Sequence, residues 1–352
     1  MRTGSKRLAA TRRRRRLIAL AFFAAVFHGF PIVAPLLAVL EGQAAGGANL
    51  GGKLAFLEGG SHGVSRNVPH LCRQAADSFT LKAAAVAMPP AARIRISMSH
   101  APSAAAPDLL GQALLDYQHG HHAAALTVHC SAAEDEPLPA AYFFRTLLAM
   151  PELERQALDE CRGRVLDLGA GAGCHTLELQ SRGFEEVKAL DHSAGAVQVM
   201  QARGVRQPTQ GDIAAYQRSR EELPYDTLLL LMNGLGLAGT LTGLDKLLTH
   251  ARTLLAPGGQ ILATSTDVQY LFEDEEGALN IDLNANYYGE VEYQFEYKNQ
   301  AGQPFPWLFI DAQLLEDAAR QAGYQADFLG HDEGGQYLVR LTLAGGFVDS
   351  DE

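Results

Sequence analysis

Ten residues constrain what this chain can fold into more than any others: Arg164-Val-Leu-Asp-Leu-Gly-Ala-Gly-Ala-Gly173. An apolar stretch runs into an acid, Asp167, and three glycines follow at two-residue intervals: Gly169, Gly171 and Gly173. Glycine tolerates positive φ and carries no Cβ, so a strand that ends this way turns sharply and lets its backbone lie against a ligand. The pattern predicts a helix opening near Cys174. Strand, glycine turn and helix in that order make a nucleotide-type binding corner.

From Gly163 onward, strand and helix patterns alternate. Strands are predicted at 164–168, 187–190, 225–232 and 260–264, with a weaker one near 206–210. Helices are predicted at 174–182, 194–203 and 241–255. Apolar runs such as Thr227-Leu-Leu-Leu-Leu-Met232 suit a parallel strand buried on both faces. The alternation predicts an α/β fold, a Rossmann-like doubly wound sheet.

Upstream, 107–117 reads as a short amphipathic helix and 125–129 as a strand. The acidic, proline-rich Glu134-Asp-Glu-Pro-Leu-Pro139 reads as a loop, and a helix spans about 151–161. Downstream, Val291, Tyr293, Phe295 and Tyr297 alternate with Glu290, Glu292, Gln294 and Glu296. That is the period of a half-exposed strand, and with Trp307-Leu-Phe-Ile310 it predicts an inserted antiparallel hairpin. A helix at 312–322 and strands near 326–329 and 336–343 close the chain.

Two nucleotide chemistries compete for the glycine corner. A dinucleotide fold wants G-x-G-x-x-G with an acid about 20 residues on. This chain has G-x-G-x-G, and Asp191 lies 18 residues after Gly173. A carboxylate after the second strand suits any adenosine ribose. Asp167 discriminates: a carboxylate there repels a pyrophosphate and attracts a cationic ligand bearing an ammonium or sulfonium.

On these residues the chain resembles the class I S-adenosylmethionine-dependent methyltransferases. The glycine run is similar to that family's first motif, and Asp191 to its ribose-binding acid. Gly211-Asp212-Ile213 resembles its adenine-contacting acid with an apolar neighbour, and Leu254-Leu-Ala-Pro-Gly-Gly-Gln-Ile261 its loop into the fifth strand. The resemblance covers about 142–343. It implies S-adenosyl-L-methionine as cofactor, with backbone approach at Gly169, Gly171 and Gly173. By the same resemblance Asp167 lies near the methionine amino group, Asp191 on the ribose diol and Asp212 on the adenine amine. Asn233 lies where the methionine end and the substrate meet. It implies methyl transfer by in-line displacement, which needs no metal and no covalent nucleophile, so no catalytic residue is assigned. A non-catalytic cofactor-binding module is the alternative, and an NAD-dependent oxidoreductase a more distant one.

The strand-four segment Leu231-Met-Asn-Gly-Leu-Gly236 lacks the Asp/Asn-Pro-Pro-Tyr/Phe signature of resembling enzymes that act on amide or adenine nitrogens. Residues 98–352 carry 15 Lys+Arg against 37 Asp+Glu, a poor surface for a nucleic-acid backbone. A small-molecule acceptor is therefore expected, with Tyr142, Tyr287, Tyr288 and Trp307 as candidate pocket walls. His119, His121, His122, His129 and Cys130 match no structural zinc spacing, and Cys72, Cys130, Cys161 and Cys174 suggest no disulfide framework.

Residues 1–97 carry 14 Lys+Arg against 3 Asp+Glu, and residues 17–40, opening on Leu17 and closing on Leu40, hold no charged side chain. Three readings stay open for this segment: a leader absent from the working protein, a signal peptide, or a membrane anchor. Met98 is an alternative start. The expected organisation is therefore a leader at 1–97, an N-terminal helical cap at 98–160, and a catalytic domain at 161–345 with an insertion at about 266–310. The implied compartment is the cytoplasm, with membrane anchoring through residues 17–40 as the alternative.

Overall fold

The computed structural model describes residues 106–274, 278–281 and 286–344. The readings made for residues 1–97 lie outside them. Among the described residues no helix is long and apolar enough to cross a membrane.

The predicted alternation builds a seven-stranded sheet. Five strands are parallel: β3 (Val165–Leu168), β4 (Val187–Asp191), β5 (Gln207–Gln210), β6 (Tyr225–Leu230) and β7 (Leu255–Thr266). β11 (Tyr324–His331) and β12 (Gln336–Leu343) add antiparallel to β7, giving the order β11-β12-β7-β6-β3-β4-β5. The chain leaves β3 in one direction through β4 and β5, then returns to the other side through β6 and β7. The reversal opens a crevice beyond the carboxyl ends of β3 and β6, where ligands bind in sheets of this kind.

Helices cover both faces because the strands are apolar on both. Leu228, Leu230, Ile261, Ala263, Val339 and Leu341 pack with α5 (Leu241–Leu254) and α6 (Ala312–Gln321). Val165, Leu229, Leu231, Leu262 and Leu338 pack with α2 (Glu152–Asp159) and α3 (Cys174–Ser181). α4 (Ala194–Arg203) starts on Ser193, whose side chain accepts from the Ala196 N–H, and stops at Gly204.

A second, five-stranded antiparallel sheet lies outside this layer. Its core order is β10-β8-β1-β2, with β9 (Gln300–Ala301) pairing on β8. It joins β1 (Ala125–Cys130) and β2 (Ala133–Pro139) from the N-terminal segment to β8 (Glu290–Tyr297) and β10 (Phe305–Leu308) from the insertion. The sequence reads these as a cap and a separate hairpin; they are one sheet. The reading of 134–139 as a loop is corrected: the segment is β2. Pro137 and Pro139 misled it, and an edge strand tolerates proline because one side of it pairs with nothing.

α1 (Leu109–Gln118) pins this sheet to the large one. Its N-cap, Asp108, accepts from the Gly111 N–H at 2.9 Å, from the Gly195 N–H at 2.9 Å and from the Ser193 hydroxyl at 2.8 Å. One carboxylate thus caps two helices at once. The helices approach backbone to backbone, since a Cβ on Gly195 would sit 2.5 Å from the Gly111 Cα. At the other end Tyr297 donates to Asp116 at 2.5 Å. Gly195→Ala should therefore destabilise the fold by about 1–3 kcal/mol, the cost of overpacking a closed contact. Urea unfolding measures it, and an unchanged midpoint would show that the two helices have room to separate.

Candidate functional site

β3 ends at Leu168, and the next five residues make the corner the sequence predicts. Gly169, Gly171 and Gly173 all hold positive φ, at 75°, 56° and 76°. Side-chain-bearing residues rarely adopt that region. The Gly169 and Ala170 N–H groups both donate to the Leu190 carbonyl, at 2.9 and 3.1 Å, which ties the turn to the end of β4. Arg203 donates to the Ala172 carbonyl at 2.5 Å and lies 4.7 Å over the Phe144 ring, bracing the turn from α4.

Asp191 ends β4 almost fully buried. Its two carboxylate oxygens accept from the Gly171 N–H at 2.8 Å and the Ser193 N–H at 2.9 Å. Burial raises its pKa, and those two amides work against the shift. Asp167, the next-to-last residue of β3 before the glycines, is also buried and accepts from the Thr176 hydroxyl at 2.6 Å. Burial raises its pKa as well, opposed by His175 and Thr176. Two buried carboxylates thus flank the glycine corner on neighbouring parallel strands.

Asp212 follows β5. It is exposed and accepts from the Ala214 N–H at 2.8 Å, while the Gly211 N–H donates to the Asp191 carbonyl at 2.9 Å. Asn233 sits past β6, fully buried at φ 56°. Its N–H donates to Thr264 at 2.9 Å, and its side-chain oxygen accepts from Thr266 at 2.7 Å, both on β7. The seven residues expected around the cofactor therefore lie on or just past the carboxyl ends of β3, β4, β5 and β6.

The four aromatic candidates divide. The Trp307 indole lies directly against Gly236, in the 3-10 turn after Asn233, where a Cβ would collide with it. Tyr142 sits in the 3-10 turn Ala140–Phe144, beside Phe143, whose ring would meet a Cβ on Gly171 at 2.8 Å. Tyr287 instead donates to Asp311, the N-cap of α6, at 2.8 Å, and Tyr288 donates to Asp267 at 2.9 Å. The hydroxyls of this last pair bond to Asp311 and Asp267, just past the large sheet's carboxyl edge. Sequence reasoning missed Leu237, whose methyl would meet a Cβ on Gly169 at 2.8 Å. No sequence signal marks it, because its position depends on how the turn after Asn233 folds back.

His175, just past the glycines, is engaged in a buried network. It is buried in the first turn of α3 and bonds Glu154 at 2.7 Å, and Arg145 donates to both oxygens of the same carboxylate at 2.9 Å. Burial opposes charge on His175, but Cys174 and Glu154 outweigh it and hold its pKa well above the ordinary 6.5. Burial would likewise raise Glu154, and His175 and Arg145 overcome it, leaving the carboxyl below the ordinary range. This buried network anchors α2 beneath the start of α3.

The methyltransferase-domain family model matches residues 165–259, from β3 into β7. The chain is 39% identical to a methyltransferase from Bacteroides fragilis, whose structure was solved with S-adenosyl-L-homocysteine. The match covers 67% of this chain and 95% of that one, with a TM-score of 0.62. The chain belongs to the S-adenosylmethionine-dependent methyltransferases. Two further solved structures are more distant. The CcbJ methyltransferase from Streptomyces caelestis is 18% identical over 57% of this chain and 98% of its own, at a TM-score of 0.43. DhpI, solved as a complex with SAH, is 18% identical over 68% and 100%, at 0.41. No curated protein matches the chain.

In this methyltransferase Glu154→Ala should cost about 3–5 kcal/mol, because it leaves Arg145 and His175 buried without their counter-charge. The pH dependence follows from the two shifts. His175 titrates higher folded than unfolded, so its stabilisation is complete below about pH 6.5 and fades as pH rises through the raised value. Glu154 titrates lower folded than unfolded, so its share is present above about pH 4.5 and fades as pH falls through the lowered value. Urea unfolding of wild type and variant across pH checks both. Parallel stability–pH curves would mean that the network does not set them.

Proposed function

We propose that this methyltransferase transfers the methyl group to a small-molecule acceptor by in-line displacement. The cofactor cradle of this reading is Asp167, Gly169, Gly171, Gly173, Asp191, Asp212 and Asn233. The observation that carries it is the pair of buried carboxylates, Asp167 and Asp191, flanking three positive-φ glycines at the ends of adjacent parallel strands.

The chemistry of these groups fits S-adenosyl-L-methionine. A buried carboxylate whose pKa burial has raised gains most from a cation, and Asp167 has the charge to hold the methionine ammonium. Each oxygen of Asp191 accepts one backbone N–H and retains a lone pair, enough to receive both hydroxyls of a ribose. Asp212, exposed past β5, suits the adenine amine. Asn233 is fixed by Thr264 and Thr266 at the mouth between β6 and β7, where the methionine end and the acceptor meet.

When bound, the cofactor supplies an electrophilic methyl and its own leaving group. The protein's task is then alignment and exclusion of water, which suits a site built from backbone turns and buried carboxylates. We assign the acceptor side to the face carrying Trp307 and Tyr142, with Tyr287 and Tyr288 at its edge. Residues 161–345 make the catalytic unit, 98–160 its cap, and 266–310 its insertion. An acidic body argues against a nucleic-acid acceptor. The cytoplasm, where that cofactor is available, is the compartment that fits.

Calorimetry with S-adenosyl-L-homocysteine tests the cradle. Asp191→Ala should weaken binding by about 100-fold, the loss of two hydrogen bonds to a charged acceptor. Asp212→Ala, at an exposed position, should cost about tenfold or less. Unchanged affinity in Asp191→Ala would mean that the ribose lies elsewhere.

A further inference from the structure

Asp167 stands where the neighbouring strands give it nothing polar to hold. It pairs with Ala189 on β4 and with Leu229 on β6, both fully buried. Among the described residues its carboxylate takes a hydrogen bond from one side chain, Thr176, whose hydroxyl reaches one of its oxygens from the first turn of α3 at 2.6 Å. Thr176 is itself fully buried. A bond that short to a carboxylate is charge-assisted, about twice as strong as a neutral one. Valine has the same shape as threonine, so packing alone does not call for a hydroxyl here.

The charges that face Asp167 come from several elements. Burial acts on its carboxyl most and favours the neutral form. His175 on α3 favours the carboxylate, as do the hydroxyl and the N–H of Thr176, while Asp191 at the end of β4 opposes it. Cys161, ahead of β3, is pushed up to about 12 by burial first and by Asp167 next. Thr176 is the member of this group that touches Asp167 and carries no charge of its own. Its removal therefore changes how the carboxylate is held without changing the charge around it.

We propose that Thr176 is a positioning residue for the cofactor: its hydroxyl fixes one oxygen of Asp167 and so holds that side chain as an oriented carboxylate for the methionine ammonium. The inference rests on the cofactor reading above. The last torsion of an aspartate is soft, so a carboxylate with neither oxygen held turns easily. A buried carboxylate that loses a donor also takes up a proton more readily, because burial penalises the charged form. A neutral Asp167 offers an ammonium no counter-charge. Thr176 thus acts on the cofactor through Asp167, by one hydrogen bond that sets both its direction and its ionisation.

Two titrations of the full chain test this between about pH 4 and 8. Infrared spectroscopy follows the carbonyl band of the protonated Asp167 carboxyl, assigned by its loss in Asp167→Asn. Calorimetry follows S-adenosyl-L-homocysteine affinity, which falls with falling pH as Asp167 becomes neutral. Asp191 titrates too, so the readout is the displacement between variants rather than the fall itself. Thr176→Val should move the infrared midpoint and the binding limb together to higher pH by about one unit, lowering affinity on the acid side about tenfold. Thr176→Ser keeps the hydroxyl and should stay within about half a unit of wild type. If Thr176→Val does not fold, Thr176→Ala should give the same displacement. A merely structural hydroxyl would weaken binding equally at every pH. Coincident midpoints in wild type and Thr176→Val would overturn the proposal, as would a serine variant that behaves like valine. An infrared shift that binding does not follow would overturn it by separating Asp167 from the ammonium. Wild-type protein that binds no S-adenosyl-L-homocysteine at any pH would overturn the cofactor reading itself.

Discussion

The hydrogen bond from the Gly171 amide to the Asp191 carboxylate holds together the parts on which everything else depends. It joins the glycine turn after β3 to the end of β4, so two neighbouring strands terminate as one rigid corner. Without it, Asp191 would be a buried acid with one amide partner, and the turn would lose its register against the sheet. The same carboxylate also fixes the Ser193 N–H and with it the start of α4. Ser193 in turn reaches Asp108, and Asp108 caps α1. A short polar chain therefore runs from the corner to the helix that pins the second sheet. Rigidity at the corner and position of the small sheet are one mechanical problem, solved by two carboxylates.

Beneath the corner, the fold keeps charge where a core would ordinarily be apolar. Glu154, Arg145 and His175 meet with almost no solvent access. Such a network adds little net stability over well-packed hydrophobic residues, but it is directional. It fixes α2 and the segment carrying Tyr142 and Phe143 relative to the first turn of α3, and Phe143 touches Gly171. His175 is thereby tied to Glu154 just past the glycines.

The large sheet was legible because most of its strands announce themselves locally, the polar β5 least. Burial on both faces gives strands dominated by apolar residues at 165–168 and 227–232, and caps such as Ser193 and Gly204 mark the helix between β4 and β5. Asp167, the three glycines and Asp191 were legible for the same reason, since a turn of this kind admits few residue types. The small sheet was only half legible. Its β8 strand alternates and is plain, whereas β2 carries two prolines and three acids and reads as a loop. That β1 should pair with β8, some 160 residues away, leaves no local trace. Tyr287 and Tyr288 were singled out as aromatics near an acceptor, and composition cannot say that their hydroxyls are used by Asp311 and Asp267.

The long-range pairing of β1 with β8 also explains how an insertion between β7 and α6 comes to stand in a full sheet. A two-stranded insertion hairpin standing alone would be marginal and would expose its aromatic side. Pairing with β1 and β2 widens it, and α1 covers the half near Tyr297, leaving the half near Tyr293 and Trp307 to face the corner.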